Sequence, residues 1–216
     1  MIIAKFILVI IIGYLLGSIP FGLIVGRRSC KVDIRELGSG KTGATNVLRT
    51  AGRKAAVLVV ALDLGKGALA VFLAGLILDN NYLVAQVAAA VAAMVGHIWP
   101  VFLKFRGGRG VATFFGGLAA LSPAAAIFGG IILLAGIGLT RFASVGSIAG
   151  SVGTCAVLVP LTIWNGSPVE YLVYALVGAT LIIVMHRDNI GRLVSGTERK
   201  IGEKVVIGNS SNSSDH

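Results

Sequence analysis

Long apolar runs alternate along this chain with short polar, glycine-rich islands. Residues 2–25, 55–78 and 83–99 approach or reach the length that carries a helix through hydrocarbon, and further runs cover 111–139, 147–164 and 169–185. None alternates polar and apolar positions as barrel strands do. A backbone in lipid must satisfy its own hydrogen bonds, so the pattern predicts helices. The islands are residues 38–49, 96–110 and 186–198. Polar groups are costly in a membrane, and islands this dense mark a working site.

Basic residues set the number of crossings. Of the 19 Lys and Arg, eight fall from Arg27 to Lys54, three from Lys104 to Arg109, one at Arg141 and five from Arg187 to Lys204. The connections at 79–82 and 165–168 carry none. The positive-inside rule puts all four groups in the cytoplasm. This requires residues 111–139 to cross twice, folding back at Ser122–Pro123, where proline disfavours helical geometry in the residue before it. The pattern therefore predicts an all-α integral membrane protein of seven transmembrane helices, N-terminus outside and C-terminus cytoplasmic. Lys5 snorkels to the outer interface. One polytopic membrane domain covers 1–207, with cytoplasmic motif loops at 26–54, 100–110, 140–147 and 186–204. Residues 208–216 lack apolar content and are expected to be a disordered tail.

Composition agrees: 56% of the 216 residues are hydrophobic and 13% charged, where a soluble domain is nearer a quarter charged. The net charge of +10, interleaved with spans, reflects orientation and anionic lipid rather than nucleic acid. Two cysteines form no disulfide framework; Cys30 belongs to the cytoplasmic side and Cys155 to a span. Residues 2–18 carry one basic residue and precede many spans, so they read as a signal anchor, not a cleaved leader.

The first island contains Gly40-Lys41-Thr42, the end of a phosphate-binding P-loop, but the required earlier glycine is replaced by Arg35 and no buried strand precedes it. What survives is a flexible loop whose amides, hydroxyls, Lys41 and Arg49 suit an anion. The second island is sharper. Gly107-Gly108-Arg109-Gly110 feeds directly into a span, so free amides, a helix dipole and a guanidinium face one place, which suits phosphate. The plainer reading is an interfacial turn with snorkelling Lys104 and Arg106. In the third island His186 and Asn189 share a helix face beside Arg187 and Arg192 and could orient or protonate a reacting group. His97, before Trp99-Pro100, reads as structural. Three scattered histidines without acidic partners make no metal site. Ser144 and Ser147 line the same pocket or cap the next span. Asp63 and Lys66, at i and i+3 within the second span, pair with each other or meet substrate.

Together these islands resemble the PlsY family of bacterial, membrane-integral, acyl-phosphate-dependent glycerol-3-phosphate acyltransferases, over residues 17–198 and in the same order and spacing. The resemblance implies transfer of a fatty acyl group from acyl phosphate to the 1-hydroxyl of sn-glycerol 3-phosphate. The products would be lysophosphatidic acid and phosphate, in the first step of bacterial phospholipid synthesis. It implies a site facing the cytoplasm from the inner membrane, with no cofactor. Ser39, Arg49, His186 and Asn189 are the implied catalytic residues. Gly38, Gly40, Asn46, Lys104, Gly107, Gly108, Arg109, Gly110, Ser144, Ser147 and Glu198 are the candidates for substrate binding. The chain departs from the commonest pattern at Lys41, where Asn is usual, at Arg109, where Lys is usual, and at Asp188, where Ser or Glu is familiar. Expected partners are the two substrates, membrane lipid and a soluble acyl-phosphate-generating enzyme. The histidine-to-aspartate spacing of thioester-dependent glycerolipid acyltransferases is absent, since Phe102 and Gly191 stand five residues after His97 and His186. The competing class is a transporter for a phosphorylated solute. That class favours a midplane site between repeated halves, and the islands show no such repeat. A non-catalytic lipid-binding scaffold is the third possibility.

Overall fold

The computed structural model describes residues 1–31, 33–78 and 82–203, and the described residues are all-helical, without strands. The expected tail at 208–216, the end of the membrane domain at 204–207 and most of the outer turn at 79–82 lie outside them. Pro20 divides the first apolar run. Ile19 adopts extended geometry, as the residue before proline prefers, separating α1 (Ile2–Ser18) from α2 (Phe21–Cys30). A short α3 (Ala44–Thr50) leads into α4 (Arg53–Leu78), followed by α5 (Leu83–Ile98) and a 3₁₀ turn at Val101–Leu103. α6 (Val111–Leu121) and α7 (Pro123–Thr140) then meet at Ser122, the fold-back expected, with Pro123 at a first-turn position that needs no N–H. α8 (Ala143–Asn165), α9 (Val169–Met185) and the amphipathic α10 (Arg187–Val194) complete the order.

Among the described residues, five segments are long and apolar enough to cross a membrane: Ile2–Cys30, Arg53–Leu78, Leu83–Leu103, Pro123–Thr140 and Ala143–Asn165. α9 and α10, bent by 56°, make a sixth when taken as one span. α6 has 11 residues, about 16 Å at the helical rise, half the hydrocarbon thickness. The motif loops are also more ordered than expected. Residues 26–54 contain the end of α2 and all of α3, 186–204 contains α10, and α8 starts at Ala143 inside 140–147. Arg141, at φ 62°, supplies the abrupt end of α7 that lets α8 begin so soon.

Small residues bring the helices together. Gly13 and Gly17 of α1 lie on the backbone of Ala89 and Ala93 in α5, where a side chain would overlap a carbonyl oxygen. Such close approach is how helices associate when the solvent is itself oily. In the core, Tyr174 of α9 stacks on Phe114 of α6 with ring centroids 5.4 Å apart, and its Oη donates to the Phe114 carbonyl at 3.0 Å. α7 stands at the periphery and buries only Ala125 and Gly129. Phe72, Leu76, Phe128, Ile131 and Trp164 are exposed on the outer surface, a distribution suited to lipid.

Candidate active site

The first island is organised around Asn46. Its Oδ1 accepts the Ser39 N–H at 3.0 Å, and its Nδ2 donates to the carbonyls of Ile34 (2.8 Å), Leu37 (3.2 Å) and Lys41 (3.0 Å). Asn46 is buried and its amide is consumed by its own loop. It therefore shapes the loop, and it also stands on the wall of the cavity described below. Asp33 anchors the loop's entry by accepting from Arg27 and Arg35. Those bonds, the Arg35 side chain foremost, hold the Asp33 carboxyl well below the usual carboxylate range. Gly38 and Gly40 flank Ser39 at φ 62° and 67°, turning the chain where other residues would be strained.

The second island departs from expectation at its first two glycines. The Gly107 N–H donates to Ile98 O and the Gly108 N–H to His97 O, both at 3.1 Å. These amides are spent fastening the loop to the end of α5 and are not available to phosphate. Glycine is needed at 108 because a Cβ there would overlap the His97 ring. Only Arg109 and Gly110 go on to the site, followed by Val111 and Ala112, whose first-turn position leaves N–H groups without intrahelical acceptors. Lys104 sits outside on the exposed surface.

The third island meets the fourth basic group through Glu198. Its Oε1 accepts from Ser144 Oγ (3.0 Å) and Asn189 Nδ2 (2.6 Å), and its Oε2 accepts from Arg192 Nε (2.8 Å). Burial alone would raise the carboxyl's pKa, but hydrogen bonds from Asn189, Arg192 and Ser144 outweigh it and hold it below the ordinary value. Arg49 Nη2 donates to Arg199 O at 3.0 Å, and the Ile201 N–H donates to Arg141 O at 2.7 Å, strapping residues 199–201 across the end of the bundle.

All four basic groups thus converge on one cavity of about 560 Å³. Its polar end is lined by Ser39, Arg49, Arg109, Ser144, Ser147, His186, Asn189 and Glu198. Gly38, Gly40, Gly107, Gly108 and Lys104 are not among the lining residues. Away from this end the wall is apolar, built from Val60 and Leu64 of α4, Phe115 and Ala119 of α6 and one face of α7. Buried Nε atoms of Arg49 and Arg109, and Oδ1 of Asn189, have no hydrogen-bond partner. Buried polar groups are normally satisfied, so orphans on residues that line a cavity point to a ligand. Burial lowers the pKa of both guanidinium groups against the pull of Glu198, yet arginine remains charged.

His186, just past α9, places Nδ1 2.8 Å from the Ile182 carbonyl. A carbonyl only accepts, so Nδ1 carries the hydrogen and Nε2 is left as an acceptor. Burial, with Arg109 adding to it, pushes the ring down to about 4, so it is neutral near pH 7.

Asp63 and Lys66 do pair, at 2.8 Å, and His97 joins them with Nδ1 2.9 Å from Lys66 Nζ. Asp63 and His97 both reach the cavity wall. His97 was read from sequence as structural only, because nothing in the sequence placed it beside Asp63.

The description "Glycerol-3-phosphate acyltransferase" belongs to the family model that matches residues 7–196. A glycerol-3-phosphate acyltransferase 3 of Dehalococcoides mccartyi (strain CBDB1) is 61% identical over 95% of this chain and 100% of its own length. One from Halalkalibacterium halodurans is 44% identical over 91% and 96%. PlsY, an integral membrane glycerol 3-phosphate acyltransferase, has a similar crystal structure in its glycerol 3-phosphate form. The TM-score is 0.83 at 38% identity, covering 91% of this chain and 96% of that one. Its lysophosphatidic acid form superposes with a TM-score of 0.81 at 36% identity, covering 92% and 96%.

Proposed function

Because the chain belongs to the glycerol-3-phosphate acyltransferase family, we propose that it moves a fatty acyl group from an acyl phosphate to the 1-hydroxyl of glycerol 3-phosphate. The observation that carries this reading is the joining, in one cavity, of an end where two arginines have buried Nε atoms without partners to a long apolar limb. The first suits two phosphates; the second suits an acyl chain. An acyl phosphate is a mixed anhydride with a good leaving group, so no covalent enzyme intermediate is needed. Holding two anions together and stabilising charge on the carbonyl oxygen suffice.

In this scheme Arg49 and Arg109 grip the phosphates, and Ser39 and the first turn of α6 position the acyl phosphate. His186 Nε2 accepts the hydrogen of the attacking hydroxyl, and Asn189 helps orient it. The hydroxyl oxygen forms a bond to the acyl carbon, the bond from that carbon to the phosphate oxygen breaks, and inorganic phosphate leaves. A phosphate oxygen, with a second pKa near 6, is a better final proton acceptor than a histidine held at about 4. His186→Ala tests this. Over a window that reaches down through its folded value of about 4, its pH–rate profile keeps the wild-type shape at a lower rate. Loss in the variant of an inflection near that value would make His186 the base.

The membrane arrangement proposed is seven helices in the bacterial inner membrane, N-terminus outside, with α6 entering only partway, and the cavity's polar end in the cytoplasm. Support comes from the gathering of the basic groups at that end. Reporter tags at residues 40, 108, 142 and 190 would all map to the cytoplasm. For the reaction, purified protein given palmitoyl phosphate and glycerol 3-phosphate releases phosphate and forms lysophosphatidic acid. Robust turnover with acyl-CoA alone refutes the donor assignment.

A further inference from the structure

We propose that Gly130 governs the acyl-chain length the enzyme accepts, by leaving open the middle of the cavity's apolar limb; this rests on reading the cavity as an acyl-transfer site. The face that α7 turns to the cavity is Pro123, Ala126, Ile127, Gly130, Leu133, Leu134 and Ile137, a stripe at helical spacing with Gly130 at its centre. Ile137 lies near the polar end and Pro123 at the far end. Gly130 is seven residues from each, about 10 Å along the helix.

Glycine is disfavoured in a helix interior relative to alanine, so each one in α7 calls for a reason. Gly129 has one, since a Cβ there would overlap Thr154 of α8. Gly136 has one too, because its Cβ would come within 2.9 Å of Gly146 Cα. At Gly130 a Cβ would meet nothing within 4 Å. Gly138 is equally unhindered, but it is exposed and does not line the cavity. Gly130 alone among these four glycines opens its missing side-chain volume into the cavity, where an added side chain would obstruct the limb halfway along. Short chains would end before the obstruction. Long ones would have to displace it.

The test measures kcat/KM for octanoyl, lauroyl and palmitoyl phosphates with wild type, Gly130→Ala and Gly130→Leu. Apolar pockets discriminate by about tenfold or more per misfitting group. Gly130→Leu is accordingly expected to lose at least about tenfold on palmitoyl phosphate while octanoyl phosphate changes by less than about twofold. Gly130→Ala falls between, and KM for glycerol 3-phosphate is unchanged. Equal losses on all three donors, or none, overturn the inference. Gly130→Ala is conservative enough to keep the comparison decisive if the leucine variant does not fold. Wild-type protein that turns over no acyl phosphate of any length would defeat the acyl-transfer reading itself and this inference with it. An active wild type with an unshifted chain-length ratio defeats the inference alone.

Discussion

Around Lys66 the charge is paired within the fold. Asp63 Oδ1 forms an ion pair at 2.8 Å that falls outside hydrogen-bonding geometry, while His97 Nδ1 at 2.9 Å and the Ile19 carbonyl at 3.2 Å accept from the ammonium, beside a crevice of only about 10 Å³. Around Arg109 the reverse holds. Its Nε is buried without a partner, Glu198 is already shared among Ser144, Asn189 and Arg192, and the space alongside is about 560 Å³. Both clusters bury charge near the same wall. The first ties α4 and α5 to the break between α1 and α2, and through His97 to the Gly107–Gly108 turn. The second leaves a guanidinium nitrogen without a partner beside the cavity. A charge paired within the fold holds structure together, whereas one without its full set of partners is kept ready for a ligand that supplies them.

The largest effect that would test this contrast is on stability. Lys66→Met strands Asp63 without its cation, and breaking a buried pair costs about 3–5 kcal/mol. Thermal unfolding in detergent should show the loss, and adding Asp63→Asn should recover part of it because no unpaired charge then remains. Activity changes without loss of stability would mean that this cluster belongs to the reaction.

Arg109→Ala should do the opposite. Removing a donor aimed at developing charge costs about 10²–10³-fold in kcat/KM, read from phosphate release. The melting temperature should hold or rise, since an unsatisfied buried group has been removed. A marked fall in melting temperature would show that Arg109 has structural partners after all. Arg49→Ala should lose activity similarly but also loosen residues 199–201, because it is bonded to the Arg199 carbonyl.

Glu198 lies between the two kinds of cluster and should show an intermediate, pH-dependent effect. Its folded-state pKa is lowered. The stabilisation from its ionised form is therefore complete above the ordinary value of 4.5 and disappears as the pH falls through the lower folded value. Glu198→Gln should cost about tenfold in kcat/KM near neutrality, the scale of hydrogen bonds to a charged group. The gap to wild type should stay constant down to the ordinary carboxylate value and close only below it. A gap that closes well above that value would place the pKa shift in the other direction.

Much of the polar cluster was legible in the chain. The positive charge groups located it, and the Ser122–Pro123 break was readable from proline geometry alone. Less legible was which backbone amides remain free. Gly107 and Gly108 look like phosphate cradles in sequence, yet their N–H groups are taken by α5 carbonyls, and only the packed helix end reveals that. The loop-shaping part played by Asn46 was hidden in the same way, because its acceptors are carbonyls 5 to 12 residues away in the chain. The apolar limb was unreadable for a different reason. The α7 stripe through Ala126, Gly130 and Leu134 has the composition of a lipid-facing surface, and hydropathy does not distinguish an acyl chain from the membrane around it.

Lys104 offers the smallest effect and the finest discrimination. It belongs to the same island as Arg109, carries the same charge and stands five residues away, so sequence gave both a role in binding. The structure separates them by exposure: Lys104 is at the surface with φ 50°, while Arg109 reaches the cavity. An exposed charge interacts through water and salt, and such substitutions usually stay within about twofold in an equilibrium constant. Lys104→Ala should therefore change kcat/KM by no more than about twofold, and raising the ionic strength should erase even that. If Lys104→Ala instead matched Arg109→Ala, the loop would have to fold inward around bound substrate. The contrast between a cluster paired within the fold and one open to ligand would then extend to the whole second island.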